Sequence, residues 1–272
     1  MNSKCPEKKL IISDIDGTLF NSHNDLPPTT EDAVRNLINE HNCVFTLSTG
    51  RSFIYTQPLI AYLNIEIPYA YSGGTIYDPQ TESVIFEDPI NCDQVAQVVQ
   101  VAEKYKVSLL AHTVNNMYCQ VNQSDWLNVS SREWMKGKPT QCPLRVQDIM
   151  AEVPDEIIRL DLFAEVNWLS TVYAEIKELV SDVNVFEMNR SIEITTSKID
   201  KGYALQRIAE YLNIPIKDTI AIGDSLNDAS LLNAAGFGVA MDTAPDQLKK
   251  IADAVVPSSD EGGLEKAMQM IS

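Results

Sequence analysis

The amino-acid sequence predicts an α/β protein with a Rossmann-like, doubly wound parallel sheet as its core and an inserted α+β cap domain. Two observations support this fold. Continuous apolar strands alternate with helices at the start of the chain and again after Lys201, which is typical of a parallel sheet covered on both faces. Between these parts, each helix is followed by paired strands, which indicates an antiparallel sheet. The predicted core comprises residues 1–87 and 196–272, and the predicted cap residues 88–195.

The first core segment contains three predicted strands and two predicted helices. The strands cover residues 10–13, 43–47 and 68–71, and each is a short apolar run. A helix is predicted over 30–41, where apolar residues recur at helical spacing behind a Pro-Pro-Thr-Thr start that suits a helix N-terminus. A second helix is predicted over 52–63. This alternation of strand and helix is the order of a parallel sheet.

The predicted cap alternates helices with pairs of strands. Helices are predicted over residues 93–105 and 167–180. Strands are predicted over residues 107–111, 117–121, 157–163, 183–188 and 191–195. The last two are expected to form a hairpin around Asn189-Arg190. Residues 125–150 have no clear period, and no element is assigned to them.

The final core segment returns to strand and helix in alternation. Helices are predicted over residues 203–212, 228–235 and 264–271. Strands are predicted over residues 219–222, 237–241 and 254–257. We therefore expect one α/β domain that is split by the insertion.

The composition and net charge exclude several classes of binding partner. With 272 residues and a formal net charge of −17, it repels polyanions, so no nucleic acid is expected to bind. Its five cysteines are scattered without a Cys-x-x-Cys pair, as in a reduced cytosolic protein. No apolar segment is long enough for a membrane span, and the polar N-terminus carries no signal-type stretch. We expect a cytoplasmic protein that binds no membrane and is a monomer or weak homodimer.

Polar residues gather directly after four of the apolar runs, where an open parallel sheet binds its ligands. These groups are residues 14–19 (Asp-Ile-Asp-Gly-Thr-Leu), 48–51 (Ser-Thr-Gly-Arg), 72–74 (Ser-Gly-Gly) and 223–228 (Gly-Asp-Ser-Leu-Asn-Asp). A small anionic substrate would be repelled at long range by the net charge. Such a site must therefore attract it locally with a cation, a lysine or arginine, or a helix N-terminus.

Asp14 and Asp16 are the first candidate pair. Two positions apart on an extended segment, their side chains project to one side, and paired carboxylates call for a cation or a shared proton. Read alone, Asp16-Gly17 is more typical of a turn. Asp224 and Asp228 reverse that preference, because Mg²⁺ binds through a few carboxylates and substrate phosphate oxygens.

The predicted magnesium shell consists of Asp14, Asp16 through its backbone carbonyl, and Asp224, with Asp228 acting behind it or through water. An alternative is that this Asp-x-x-Asp pattern caps the helix that follows, and both functions can hold at once, because Ser225 or Asn227 could cap while Asp224 binds metal. Lys201, read alone, is more typical of a solvated surface residue.

Taken together, four motifs resemble those of the haloacid dehalogenase superfamily of phosphohydrolases, and within it the Cof-type sugar-phosphatase-like branch. In order, they are residues 14–19, residues 49–51, Lys201-Gly202 and residues 223–228. The resemblance covers nearly the whole chain and includes residues 238–241 and 260–262. The long insertion is similar to the large α/β cap of that branch, which implies that it reads the substrate.

The resemblance implies a magnesium-dependent phosphatase that acts on a small phosphorylated metabolite. Asp14 would attack phosphorus, and Asp16 would first protonate the leaving oxygen and then deprotonate water. Thr49 would hydrogen-bond the phosphoryl group, and Lys201 would neutralise its charge and that of Asp14. The implied metal residues are Asp14, Asp16, Asp224 and Asp228. The implied substrate-binding residues are Gly50, Arg51, Ser72, Gly73 and Asn227.

Two positions depart from the pattern of the branch. Ser72-Gly73 stands where the branch usually has Asn-Gly, and Asp242-Thr243-Ala244 where it usually has Gly-Asn-Ala. Neither change removes the nucleophile, the acid or a metal ligand. Trp126 and Trp134 are further candidates for lining the cap, although most such residues are core or surface.

Two other functions compete with phosphatase activity. A phosphomutase would use the same aspartate, but family mutases generally resemble a branch with a small helical cap. A catalytically idle phosphate-binding module is the second alternative, and the presence of all motif residues disfavours it. Hydrolysis of sugar phosphates is the leading hypothesis.

Overall fold

The computed structural model describes residues 8–39, 43–120, 144–153, 155–163, 166–187 and 191–270. Two compact units divide the chain. The first contains Met1–Arg51, Thr56–Phe86 and Asp200–Ser272, and the second contains Ser52–Tyr55 and Glu87–Ile199. Within the described ranges, no helix is long and apolar enough to cross a membrane.

A five-stranded parallel sheet forms the centre of the first unit and confirms the predicted α/β core. Its strands are β1 (Lys9–Ser13), β2 (Cys43–Leu47), β12 (Thr219–Gly223), β13 (Phe237–Met241) and β14 (Ala254–Val256). They lie in the order β14-β13-β12-β1-β2, so the strand nearest the N-terminus is flanked on both sides. All four pairings are parallel.

Helices pack against this sheet through small and branched apolar residues. Those of the first unit are α1 (Pro28–Asn39), most of α2 (Phe53–Leu63), α6 (Lys201–Tyr211), α7 (Ala229–Ala234), α8 (Asp246–Lys249) and α9 (Gly263–Gln269). Leu10 and Ile12 of β1 share one buried cluster with Leu205 and Ile208 of α6 and with Leu231 of α7. The alternate residue Ile11 is also fully buried, as in a strand that is covered on both faces.

The third predicted strand is present but does not continue the parallel sheet. β3 (Tyr69–Tyr71) joins β4 (Thr75–Asp78) and β5 (Ser83–Phe86) in a three-stranded antiparallel sheet, and the sequence analysis missed the latter two strands. The chain reverses at Ser72 and Gly73, whose φ angles are 47° and 86°. Two left-handed residues in succession favour a tight hairpin over a helical crossover. One parallel bridge between Ser48 and Ala70 still ties β3 to the end of β2.

A six-stranded sheet forms the second unit. Its strands are β6 (Ser108–His112), β7 (Met117–Gln120), β8 (Leu144–Val146), β9 (Arg159–Phe163), β10 (Val183–Glu187) and β11 (Ser191–Thr196). They lie in the order β10-β11-β9-β6-β7-β8, and all pairs except β7–β8 are antiparallel. The antiparallel pattern that the sequence predicts is therefore confirmed for five of the six strands.

Among the described residues of the second unit, the helices are α3 (Cys92–Tyr105), α4 (Ile149–Glu152) and α5 (Val166–Leu179). α3 begins with a reciprocal capping box, in which the Asn91 side chain accepts from Gln94 N and the Gln94 side chain from Asn91 N. Its buried valines form a common core with strand residues such as Leu160 and Leu162. The predicted turn at Asn189-Arg190 and the candidates Trp126 and Trp134 lie outside the described residues.

Candidate active site

Two neighbouring strands bring the two acidic groups of the sequence together. β1 pairs in parallel with β12, with Ser13 opposite Ile222, and Asp14 N donates to the carbonyl oxygen of Ile222 over 2.9 Å. Asp14 therefore follows one strand where Asp224 follows the other. The carboxyl ends of adjacent parallel strands meet at one edge of the sheet, as the sequence predicts for a ligand site.

Lys201 is buried in this site rather than solvated. It is the first residue of α6, behind the N-cap Asp200. Its Nζ donates to Asp14 Oδ1 over 2.9 Å, to Asp228 Oδ1 over 2.5 Å and to Asn227 Oδ1 over 3.4 Å. Its side chain is only 3% exposed. The surface reading of Lys201 is wrong, because two buried carboxylates stabilise its charge.

Burial and like charges perturb the carboxyl groups. The pKa of Asp14 is raised well above its usual value, chiefly by burial and then by Asp228 and Asp224, against the opposing effect of Lys201. Burial and Asp228 likewise raise the pKa of Asp224 to about 7. Burial alone would lower the pKa of Lys201, but Asp14 and Asp228 outweigh it and the pKa is raised. The site thus carries more negative charge than one ammonium group can balance.

Asp228 uses both of its oxygens within the protein. Oδ1 accepts from Lys201, and Oδ2 accepts from the backbone N–H groups of Asp224 and Ser225, each over 3.0 Å. It is fully buried and precedes α7. Asp228 therefore fixes both the loop that carries Asp224 and the ammonium of Lys201, and it fits a place behind the metal ligands.

The carboxylate oxygens gathered in this site suit a hard divalent cation. One ligand atom each from Asp14, Asp224 and Asp228 lie within 4.8 Å of one another. Mg²⁺ prefers such carboxylate oxygens, and the pKa values of Asp14 and Asp224 are raised chiefly by burial and also by the neighbouring carboxylates, whose repulsion a cation would relieve. A Cβ atom at Gly17 would lie 2.3 Å from Asp224 Oδ2, so only glycine lets the loop after Asp16 approach this closely.

Asp16 points to a different partner. Arg51 Nε donates to Asp16 Oδ2 over 2.8 Å, and a second guanidinium nitrogen bonds Asp16 Oδ1. The Asp16 side chain is half exposed, whereas that of Arg51 is 12% exposed. The side chain of Asp16 is thus not a member of the carboxylate group that could hold a cation, and only its backbone carbonyl remains as the predicted ligand.

The second and third polar groups form one hydrogen-bonded scaffold. Thr49 N donates to Ala70 O, and Thr49 O accepts from Gly73 N, both over 3.1 Å. Thr49 Oγ1 accepts from Arg51 N over 3.1 Å, and Ser72 N donates to Arg51 O over 2.8 Å. Residues 49–51 and 72–73 are therefore brought together, as the sequence analysis expects of neighbouring strand ends.

Two further polar residues contact the site and were not among the predicted site residues, although Ser225 was considered as a helix cap. Thr18 Oγ1 donates to Asp224 Oδ1 over 3.3 Å, and Ser225 Oγ donates to Asn227 Oδ1 over 2.6 Å. Both stand inside motifs that the sequence analysis singled out, so their position in the motif was the available signal. Asp242, the unusual acidic residue, is exposed, and its backbone N–H donates to Val256 O.

Comparison with known proteins identifies relatives of the whole chain. The family model described as haloacid dehalogenase-like hydrolase matches residues 11–268. Phosphatase YwpJ of Bacillus subtilis (strain 168) is 30% identical over 289 residues, covering 96% of this chain and 99% of that protein. A haloacid dehalogenase-like hydrolase structure from B. subtilis has a TM-score of 0.82 at 26% identity, covering 97% of this chain and 100% of that one.

A further solved structure supports the fold alone. BT4131, described as a subclass IIB sugar phosphatase of the same superfamily, has a TM-score of 0.83 at 21% identity, covering 97% of this chain and 98% of that one. The likeness extends over both compact units, since nearly the whole of each chain is covered.

Proposed function

This chain belongs to the haloacid dehalogenase-like hydrolase family, and we propose that it hydrolyses small sugar phosphates with Mg²⁺ through a phosphoaspartate on Asp14. It is a phosphoric monoester hydrolase of that family. The observation that carries the finer proposal is the buried contact between Lys201 Nζ and Asp14 Oδ1, beside Asp224. Lysine at this position orients a carboxylate and balances charge, which a purely structural turn would not require.

In the first step, a carboxylate oxygen of Asp14 attacks phosphorus and the ester oxygen leaves. Lys201 already bonds Oδ1, whereas Oδ2 accepts no hydrogen bond from the described residues and is the oxygen available for attack. Asp16 gives its proton to the leaving oxygen, so the alcohol departs neutral. The Thr49 hydroxyl hydrogen is free to bind a phosphoryl oxygen, because Oγ1 accepts rather than donates in its bond with Arg51 N.

In the second step, water attacks the same phosphorus. Asp16, now ionised, takes a proton from that water, and the bond between phosphorus and the Asp14 oxygen breaks. Inorganic phosphate is released, and the Asp14 carboxylate and the Asp16 proton are restored. Lys201 balances the charge on Asp14 throughout, since its ammonium is held between Asp14 and Asp228.

Mg²⁺ would be held by Asp14, Asp224 and the backbone carbonyl of Asp16, with Asp228 fixing the loop behind them. When bound, it supplies positive charge against the phosphoryl oxygens and lowers the repulsion between carboxylates. This charge also counters the net charge of −17, which otherwise repels an anionic substrate.

The substrate class and the setting complete the proposal. We propose that residues 88–195 act as a cap that reads the alcohol part of the ester, and that Gly50, Arg51, Ser72, Gly73 and Asn227 line the phosphate end. The description of BT4131 as a sugar phosphatase supports a sugar phosphate as the first class to test. The scattered cysteines support a cytoplasmic setting.

Phosphate release from a panel of sugar phosphates, nucleotides and phosphorylated cofactors tests this function, with Mg²⁺ or with EDTA. We expect Asp14→Asn to lower kcat on the order of 10³-fold or more, because an amide oxygen is a poor nucleophile. Asp32→Asn, an exposed aspartate on α1, is the matched control and should retain full activity. Equal phosphate release by wild type and Asp14→Asn would refute the mechanism, and phosphate retained on an isomeric product would identify a mutase.

A further inference from the structure

We propose that Ser225 is a positioning residue for Asn227, holding the side-chain amide of Asn227 with its oxygen towards Lys201 and its NH₂ group free for a phosphoryl oxygen of the substrate. This inference rests on the proposed function, in which Asn227 lines the phosphate end of the site. Ser225 is otherwise no more than a candidate helix cap.

The ammonium group of Lys201 determines which end of the Asn227 amide faces it. Nζ donates to oxygens of Asp14, Asp228 and Asn227, over 2.9, 2.5 and 3.4 Å. An ammonium has three N–H donors and no acceptor, so these three oxygens use all of its donors. The amide must therefore turn its oxygen to Lys201, because its NH₂ group could not accept a hydrogen bond there.

Ser225 makes the shorter of the two bonds to the same amide oxygen. Its Oγ donates to Asn227 Oδ1 over 2.6 Å, against 3.4 Å for Lys201 Nζ. The hydroxyl has one hydrogen to donate. Its other acceptor, Asp228 Oδ2, lies at 3.4 Å and already accepts from two backbone N–H groups. Two donors that converge on one oxygen restrain the rotation of the amide more closely than the longer bond from Lys201 alone.

The backbone of Ser225 is fixed by contacts that do not involve the Asn227 side chain. Ser225 precedes the short 3₁₀-helix Leu226–Asp228. Its N–H donates to Asp228 Oδ2 over 3.0 Å, and its carbonyl oxygen accepts from Asp228 N over 2.9 Å. Asp228 is itself fully buried. The hydroxyl of Ser225 is therefore attached to a backbone that Asp228 holds at both peptide groups.

The NH₂ group of Asn227 is left for a ligand. Nδ2 donates no hydrogen bond to any of the described residues, whereas Oδ1 has two donors. Asn227 is half-buried, so its NH₂ group can reach solvent or a substrate. A phosphoryl oxygen is an acceptor, which the NH₂ group can bond and the amide oxygen cannot. An amide that turned over would present its oxygen to the phosphoryl group and repel it.

Loss of the Ser225 hydroxyl is expected to weaken phosphate binding. We expect Ser225→Ala to raise the Kd of inorganic phosphate, measured by calorimetry at saturating Mg²⁺, by about 3–10-fold, and to lower kcat/KM for a sugar phosphate by a similar factor. Ser225→Thr keeps the hydroxyl and should stay near wild type. Ser225→Val has nearly the same shape as the threonine variant but no hydroxyl, so it should behave like Ser225→Ala.

Ser258 provides the matched control. It also precedes a short 3₁₀-helix (Ser259–Glu261), and its Oγ donates to the side chain of Glu261 over 3.3 Å. Ser258→Ala removes a hydroxyl from the same kind of position outside the site. It should leave the Kd of phosphate and kcat/KM unchanged.

A double-mutant cycle separates positioning of Asn227 from helix capping. Asn227→Ala alone should raise the Kd of phosphate, and Ser225→Ala should add little to this rise in the Asn227→Ala background. Any contribution of Ser225 to helix capping would lower Tm in both backgrounds and would not depend on Asn227. The Kd of phosphate, rather than Tm, therefore reports the positioning role.

Several outcomes would overturn the inference. They are an unchanged Kd of phosphate in Ser225→Ala, independent effects that multiply in the cycle, or equal phosphate affinities of Ser225→Thr and Ser225→Val. An unchanged Kd in Asn227→Ala would also overturn it, because the amide would then not bind phosphate. If phosphate release is lost in Asp14→Asn but any of these results is found, the proposed function stands and only the role of Ser225 is rejected.

Discussion

At the scale of single residues, the site is an unbalanced group of buried charges. Asp14, Asp224 and Asp228 surround one ammonium, that of Lys201. Burying charge without a partner is costly, and breaking a buried pair typically costs about 3–5 kcal/mol. The excess negative charge is the physical reason to expect a divalent cation here, independently of any relative.

This charge excess predicts how stability depends on pH without metal. The pKa of Asp224 is about 7 in the folded chain against 3.8 for an ordinary aspartate, so the folded state binds the proton more tightly. Stability is then present at low pH and is lost as pH rises through about 7. In EDTA, we expect a higher Tm at about pH 6 than at about pH 8. Asp224→Asn should reduce this difference, and Mg²⁺ should raise Tm more at the higher pH.

Calorimetry or dye-monitored melting at both pH values measures this dependence. Asp246→Asn, at the exposed first residue of α8, serves as a control carboxyl that should not alter this pH dependence. A Tm that rises with pH in EDTA would contradict the prediction, because it would mean that Asp224 is no harder to ionise in the folded chain.

At the scale of elements, the turn between β3 and β4 has a backbone conformation that serine, its residue at position 72, does not favour. Ser72 adopts a φ of 47°, a left-handed conformation that favours asparagine or glycine. Its hydroxyl oxygen is also buried without a hydrogen-bond partner among the described residues. The branch that this chain resembles usually has asparagine at this position, so the structure gives a backbone reason for that preference.

We therefore expect Ser72→Asn to raise the free energy of unfolding by about 1 kcal/mol, because the left-handed conformation costs about 1–2 kcal/mol for most residues. Urea denaturation measures the change. Asn24 has a φ of 61° in another turn, and the reverse change Asn24→Ser should lower stability. If Ser72→Asn instead lowers the free energy of unfolding, backbone strain at Ser72 does not limit the stability of the protein.

The strands also show which elements a sequence pattern can predict and which it cannot. Continuous apolar runs identified β1, β2, β12 and β13, because strands that are buried on both faces consist mainly of apolar residues. β5 was missed because its residues are only half-buried or exposed, and β4 because its sequence, Thr-Ile-Tyr-Asp, contains no continuous apolar run. Which strands pair depends on the turns between them. The chain reversal at Ser72 is hard to predict from the local sequence, because asparagine, a residue typical of such a turn, is absent there.

The candidate site divides in the same way. Asp14, Asp224 and Lys201 could be selected from strand ends and motif order. The pairing of Arg51 with Asp16 could not, because it depends on the path of the chain between two strand ends. The buried group of His112, Asp161 and Arg159 in the second unit was likewise invisible, since only the register of β6 and β9 brings these residues together.

At the scale of the whole molecule, the net charge of −17 acts on every anionic substrate before it reaches the site. Salt screens such repulsion over a Debye length of about 10 Å at 0.1 M. We therefore expect kcat/KM for a sugar phosphate to rise a few-fold between about 20 and 200 mM salt at saturating Mg²⁺. Steady-state phosphate release measures it.

A substrate that carries its own positive charge provides the comparison. Phosphoethanolamine has a smaller net charge than a sugar phosphate, so its kcat/KM should respond less to salt. A fall in kcat/KM with salt for both substrates would indicate that local cations, rather than the overall charge, dominate the approach to the site.

The placement of β1 also has a consequence for synthesis of the chain. β2 is synthesised soon after β1 and is available to pair with it, but the other neighbour of β1, β12, follows roughly 200 residues later, which takes about 10–40 s at 5–20 residues per second. During that interval an apolar strand ending in Asp14 keeps an open edge, and open edges recruit other chains. A product that stops before Thr219 would therefore aggregate rather than act as a weakened enzyme.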